Sequence, residues 1–198
     1  MYALRQVVDQ IWDQWGVPIA VGLAAVPVAV VVALGLTARR RRTGVDPGWA
    51  LRSAVAEVGM VVGTVPWVWM ILTPLHGGHR GYNLIPFRDL VAEFQVGGVA
   101  SAVVQIVGNL LVFAALGFFL PVRLPVGPLT CLVTGAVCSA TVEALQWVLN
   151  LGRFSSVDDV LVNAVGALLA SLASRRWWMS RRPVVNRVSD VRDTVVQR

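Results

Sequence analysis

The sequence predicts an all-α protein, a polytopic membrane bundle of about five transmembrane helices. Hydrophobic residues make up 56% of the 198 residues, and the mean hydropathy is +0.67. Charged residues make up only 14%, whereas a soluble domain usually carries about 25%. The apolar residues also occur in runs of about 20, which is the length that an α-helix needs to cross the hydrocarbon core.

Five such runs predict the transmembrane spans. They cover residues 17–38, 54–75, 99–120, 126–149 and 157–174. The runs divide the chain into an N-terminal outer or interfacial segment (1–16), a first span with a basic cytoplasmic loop (17–53), a four-helix membrane domain (54–174) and a basic cytoplasmic tail (175–198).

The arginines predict the orientation of the bundle. All 17 basic residues are arginine, and thirteen of them fall on the cytoplasmic side if the N-terminus is outside and the C-terminus is cytoplasmic. The positive-inside rule favours this orientation. Trp177 and Trp178 lie among arginines and predict an anchor at the inner interface. Because the arginines adjoin apolar runs, they indicate contact with membrane lipids and no nucleic-acid partner.

Polar side chains occur at a similar depth in three of the predicted spans. An ionisable group in hydrocarbon costs at least about 2.5 kcal/mol, so such groups normally face the bundle interior and find partners there. We therefore expect one shared polar pocket that opens outward, with Arg153 in the adjacent loop as the nearest counter-charge. The predicted pocket residues are Gln105, Asn109, Glu143, Gln146, Asp159 and Asn163.

Structural roles are open alternatives for several of these residues. Ser156 and Asp159 form an S-x-x-D pattern, so Asp159 can also help to cap its helix. The amide side chains can serve as hydrogen bonds between helices. Glu143 is the strongest functional candidate, because a single buried acid contributes little to packing. No catalytic residue is assigned, and Glu143 and Asp159 are the candidates if a reaction takes place.

The longest predicted outer loop covers residues 76–98. Residues 87–94 predict a short amphipathic helix that lies in the membrane interface or folds back over the mouth of the bundle. Arg88 and Arg153 are candidates for binding a phosphate or carboxylate, or they pair with nearby acids. His76 and His79 have no acid at ligand spacing, so the sequence predicts neither a metal site nor a cofactor.

An ordered set of motif residues resembles the VanZ-like membrane proteins. The set comprises N-L-I-P-F at 83–87, Asn109 with Phe113 and Gly117, Glu143 with Gln146, Arg153, Asp159 with Asn163, and Gly166. The family often has a proline before the glycine of the third span, where this chain has Ala115 and Leu116. The resemblance covers roughly residues 54–174 and adds Asn83, Pro86 and Phe87 to the candidate ligand-binding residues.

The resemblance implies a protein of the bacterial cytoplasmic (inner) membrane that acts at the cell envelope. It also implies a role in resistance to glycopeptide and lipoglycopeptide antibiotics such as teicoplanin. In the first hypothesis the protein is not an enzyme, and its pocket binds a lipid head group, a lipid-linked envelope precursor or an amphiphilic antibiotic.

Two alternatives belong to other functional classes. One is an intramembrane enzyme acting on an envelope lipid or polyprenyl phosphate, with Glu143 or Asp159 as general base and Arg153 and Arg88 holding the phosphate. The other is a small transporter or flippase. The oligomeric state is left open.

Overall fold

The computed structural model describes residues 2–75, 78 and 81–178, and it confirms the predicted all-α architecture. The elements, in chain order, are α1 (Tyr2–Arg42), α2 (Pro47–Ile71), β1 (Gly81–Asn83), α3 (Arg88–Val96), α4 (Gly98–Val112), α5 (Ala114–Arg123), α6 (Pro128–Val148), β2 (Phe154–Ser156), α7 (Val157–Ala173) and α8 (Arg175–Trp178).

Four helical segments in the described residues are long and apolar enough to cross a membrane. They are Ile19–Arg42, Pro47–Ile71, Gly98–Arg123 and Pro128–Val148. The fifth predicted span forms α7, which has 17 residues. At 1.5 Å per residue it is roughly 26 Å long, slightly shorter than a hydrocarbon core of about 30 Å. The count of five spans therefore stays a prediction.

The N-terminal segment and the first predicted span form a single helix. Residues 2–16 continue into residues 17–42 without a break in the backbone, so α1 is a helix of 41 residues. At 1.5 Å per residue this helix is about 61 Å long, roughly twice the thickness of the hydrocarbon core. The position of residues 2–16 relative to the membrane interface stays a prediction.

Local sequence signals fix where the membrane helices begin. The side chain of Asp46 accepts a hydrogen bond of 2.8 Å from the backbone N–H of Trp49, and Pro47 opens α2. Pro128 opens α6 in the same way. Proline suits the first helical position because its φ is already helical and its missing N–H would have no partner there.

Small residues allow α5 to pack closely between α2 and α7. A Cβ atom on Gly63 would lie 2.4 Å from the Cβ of Ala115, and one on Gly117 would lie 2.1 Å from the carbonyl oxygen of Ala167. Neither position has room for a larger side chain, so glycine sets the distance between these helices. Val112, Phe113, Val142 and Ala167 form the buried core beside this contact.

The third predicted span contains a break at Phe113 between α4 and α5. The backbone of Phe113 has φ −110° and ψ 12°, outside the helical region, although no proline precedes Gly117. The side chain of Phe113 is 2% exposed and belongs to the core. The helical geometry is therefore interrupted here without the family's proline, and the break coincides with burial of an aromatic ring.

A shared carboxylate ties three helices together at one end of the bundle. Glu57 of α2 accepts a hydrogen bond of 2.6 Å from Arg40 of α1 and a second from Arg123 of α5. Arg40 also donates to the hydroxyl of Ser53 at 2.8 Å. Charge-assisted bonds of this kind are roughly twice as strong as neutral ones. We call the end of the bundle that contains Glu57, Arg40 and Arg123 the arginine end.

Candidate functional site

A cavity of about 750 Å³ lies between the last turn of α2, the helices α4, α6 and α7, and the loop before β2. It brings together seven of the predicted site residues, all of them polar. These residues are Gln105, Asn109, Glu143, Gln146, Arg153, Asp159 and Asn163. Apolar side chains complete the wall, among them Met70, Ile71, Val112, Phe113 and Val142. The structure thus places these residues at one cavity, and their role in binding stays a prediction.

The two carboxyl groups of the cavity hold its helices in place. Glu143 of α6 accepts a hydrogen bond of 3.1 Å from the backbone N–H of Ser156, and its own backbone carbonyl accepts one from the hydroxyl of Ser155. Asp159 of α7 accepts a hydrogen bond from the amide of Asn109 in α4. Each carboxylate offers about four lone-pair positions, so both retain the capacity to accept further hydrogen bonds.

Two buried amides leave their oxygen atoms without a partner. The Nε2 of Gln146 donates to the backbone carbonyl of Ile71 at 3.0 Å, and the Nδ2 of Asn163 donates to the hydroxyl of Ser139 at 2.8 Å. Each residue is 4% exposed. The Oε1 of Gln146 and the Oδ1 of Asn163 have no hydrogen-bond partner. An unsatisfied buried acceptor typically costs about 1–3 kcal/mol, which is a reason to expect a donor at this position.

Arg153 connects the cavity to the end of α2. Its Nε donates to the backbone carbonyl of Thr73 at 3.2 Å, and its Nη2 donates to the carbonyl of Met70 at 3.1 Å. These carbonyls lie at the C-terminal end of α2, where a helix has fewer internal donors. The carbonyl of Met70 also accepts from the backbone N–H of Thr73 at 3.2 Å. Burial lowers the pKa of the Arg153 guanidinium, and the nearby carboxylate of Glu143 raises it. Arg153 is thus close to Glu143 as expected, but its observed hydrogen bonds go to the backbone.

The candidate residues of the outer loop lie outside the cavity lining. Asn83 is buried, and its Nδ2 donates to Asp89 at 2.8 Å while its Oδ1 accepts from the N–H of Ile85 at 3.0 Å. Pro86, Phe87 and Arg88 are exposed. Asn83 therefore shapes the loop. The ligand-binding roles predicted for Asn83, Pro86, Phe87 and Arg88 stay predictions.

Asp158 is an important residue that sequence reasoning missed. It is 1% exposed, and its carboxylate accepts hydrogen bonds from the backbone N–H groups of Phe87, Asp89 and Leu90 at 2.5, 3.0 and 3.2 Å. A negative charge is favourable at a helix N-terminus, here that of α3. Successive helical residues point about 100° apart, so the Asp158–Asp159 pair signals two different environments.

A short parallel sheet joins the outer loop to the start of α7. Tyr82 pairs with Ser155 at the centre of the β1–β2 register. The hydroxyl of Ser156 donates to Asp89 at 2.5 Å and accepts from the N–H of Asp158 at 3.1 Å. Ser156 is therefore the N-cap of α7, whereas Asp159 bonds to Asn109 and lines the cavity.

The part of the chain that the structure describes contains no group of three or more His, Cys, Asp or Glu that could hold a metal ion. His76 and His79 lie outside the described residues, as do the arginines of the tail beyond Trp178.

Comparison with known protein families identifies a matching family. The sequence model of the VanZ/LLP1 family matches residues 59–178, which include every element of the cavity and every motif residue from Asn83 to Gly166. Neither a curated protein nor a solved structure matches the chain. Because the matched region covers more than half of the sequence and contains apolar helices that can span a membrane, the chain is a membrane protein that belongs to the VanZ/LLP1 family.

Proposed function

We propose that this protein acts at the bacterial cell envelope by binding the head group of an envelope lipid or of a lipid-linked ligand in its polar cavity. The observation that carries the proposal is the meeting of Glu143, Asp159 and four amide side chains at one cavity inside an apolar bundle. Ionisable groups within membrane helices usually mark functional sites. A volume of about 750 Å³ also falls within the range of roughly 300–1,000 Å³ that is typical of small-molecule sites.

The cavity is proposed to open to the outside of the cytoplasmic membrane. Glu57 at the arginine end and Met70 at the cavity lie on the same helix. They are separated by about 20 Å along its axis at 1.5 Å per residue. The positive-inside rule favours a cytoplasmic location for Arg40 and Arg123. The cavity then lies in the outer leaflet, with the N-terminus outside and the C-terminus in the cytoplasm.

Cysteine labelling tests this orientation. We expect a membrane-impermeant maleimide to label Tyr82→Cys in intact cells, because Tyr82 is exposed in the loop at the cavity end. Thr43→Cys, in the exposed turn after α1, should react only after the cells are permeabilised. The parent protein, in which Cys131 is buried and Cys138 half-buried, measures the background. Labelling of Thr43→Cys but not Tyr82→Cys in intact cells would reverse the proposed orientation.

Exposed apolar side chains near the end of the bundle that holds the cavity support entry of a ligand into the cavity from the membrane. Leu84, Ile85 and Phe87 precede α3, and Val91 and Phe94 lie on it, all with large exposed fractions. Side chains of this kind are favourable at the boundary between head groups and acyl chains. A lipid head group could then enter the cavity while its acyl chains stay in the bilayer.

The resemblance to VanZ-like proteins connects this binding with glycopeptide and lipoglycopeptide antibiotics of the teicoplanin type. We propose that occupation of the cavity by an envelope lipid or by the drug itself alters how the drug reaches its envelope target. No chemical step is required for this effect.

An intramembrane enzyme is the second candidate, because two carboxyl groups, Glu143 and Asp159, line the same cavity. The phosphate-holding role that it gives to Arg153 and Arg88 has less support. Arg153 donates to two backbone carbonyls, and Arg88 lies outside the cavity lining on α3.

The central experiment replaces Glu143 in a strain that depends on this protein for a measurable tolerance to teicoplanin. We expect Glu143→Gln to remove most of the tolerance that the wild-type gene restores to a deletion strain. Glu93→Gln is the matched control, since Glu93 lies on α3 and bonds to Ser101. Membrane levels of each variant are measured by immunoblotting. Equal tolerance with Glu143→Gln and the wild type, at equal membrane levels, would contradict the proposed site.

A further inference from the structure

Several hydrogen-bond donors of the cavity are used by the protein itself. The amide groups of Gln146, Asn163 and Asn109 each donate one N–H, to Ile71, Ser139 and Asp159, respectively. Arg153 donates to two backbone carbonyls of the α2 end.

The acceptors of the same cavity remain available. The Oε1 of Gln146 is without a partner, and its identity as an oxygen is fixed because the carbonyl of Ile71 can only accept a hydrogen bond. The Oδ1 of Asn163 is also unpartnered. The carboxylates of Glu143 and Asp159 add further acceptor positions. A ligand that satisfies this set must therefore bring donors.

The charges of the cavity also favour a ligand that donates hydrogen bonds. Two carboxyl groups and one guanidinium occur among the described lining residues. An anionic phosphate would meet two acids, and its oxygens would add acceptors where donors are needed. A primary ammonium group has three donors and no acceptor, and its positive charge complements the excess of acid.

We infer that the cavity binds a primary ammonium group, carried by a lipid head group or by a free amphiphilic amine. This inference rests on the proposed head-group binding and specifies its ligand class. Glu143 and Asp159 provide the charge, and the Gln146 oxygen accepts one of the three N–H groups. Asn163 provides a second neutral acceptor.

Lipids with identical acyl chains test the inference. Purified protein is presented with dioleoyl-phosphatidylethanolamine, -phosphatidylcholine or -phosphatidylglycerol in mixed micelles, and bound lipid is counted by native mass spectrometry. The choline lipid keeps the positive charge without N–H donors, and the glycerol lipid offers hydroxyl donors without a cation. We expect about a tenfold preference for the ethanolamine lipid, the effect of one charge-assisted hydrogen bond.

Substitutions of cavity-lining residues test whether the preference for the ethanolamine lipid arises in the cavity. Glu143→Gln, and separately Gln146→Leu, should reduce the preference for ethanolamine over choline to about two-fold or less, whereas Glu93→Gln should keep it. Asp159→Asn provides a further test of the charge if one of the first variants folds poorly.

Competition distinguishes the possible sources of the ammonium group. Dodecylamine should displace the ethanolamine lipid, and dodecyl phosphate should not. Displacement by dodecyl phosphate alone would overturn the inference. Equal binding of all three phospholipids that still depends on Glu143 would overturn the ammonium preference and leave head-group binding standing. An absence of binding in every arm would overturn both proposals.

Discussion

Asp158→Asn is expected to lower the free energy of unfolding by about 3 kcal/mol, because a buried carboxylate that accepts three backbone hydrogen bonds loses its charge and half of its acceptor atoms. The new amide group would also direct its own hydrogen atoms toward backbone N–H groups. The measurement is thermal or denaturant unfolding of the purified protein in detergent. Hydrogen exchange at the amides of Phe87, Asp89 and Leu90 provides a local readout and should accelerate.

Asp159→Asn is the matched control, since it changes the neighbouring residue in the same way. Asp159 interacts with the side-chain amides of Asn109 and Gln105, and the remaining oxygen of asparagine can still accept a hydrogen bond from them. We expect a change in stability of less than about 1 kcal/mol, because no backbone group loses its partner. Similar losses for both variants, or unchanged exchange at the three amides, would show that Asp158 does not hold the outer loop.

Arg153→Met should cause the second large effect. The methionine fills much of the apolar volume but removes the Arg153 donor from the carbonyls of Thr73 and Met70, of which Met70 keeps the backbone N–H of Thr73. It also removes the positive charge near Glu143. Loss of two hydrogen bonds to a charged donor suggests a decrease in stability of about 2–3 kcal/mol. Arg153→Lys should recover only part of it, because an ammonium cannot reproduce the planar fork of a guanidinium.

Arg88→Met provides the control for the Arg153 variants. Arg88 is exposed at the start of α3, so its replacement should change stability by less than about 0.5 kcal/mol. Hydrogen exchange in the last turn of α2 should increase for Arg153→Met and stay constant for Arg88→Met. Equal behaviour of the two variants in both measurements would refute the role of Arg153 in holding the end of α2.

The membrane architecture was predictable because it depends on local properties of the sequence. Apolar runs long enough to span the bilayer are visible in single segments, and four of the five predicted runs overlap helical segments that are long and apolar enough to cross a membrane. The placement of Glu143, Asp159 and Asn109 around one cavity was predictable from a general cost: membrane helices bury polar groups against one another.

The contacts of the loops were not predictable in this way. Asp158 meets amides about 70 positions earlier in the chain, and Arg153 meets carbonyls about 80 positions earlier. No periodicity within a segment encodes such pairings. The parallel pairing of β1 with β2 is similar, because each strand has only three residues and too short a pattern to identify.

Glu57 pairs with two arginines, one that precedes the family-matched region and one inside it. The region matched by the family starts at residue 59, so α1 and the first turns of α2 lie before it. Arg40 joins the preceding helix to Glu57, while Arg123 reaches the same carboxylate from inside the matched region. A chain that began at α2 would still keep this acid neutralised. Loss of the leading helix would therefore remove Arg40 but leave the negative charge of Glu57 compensated by Arg123.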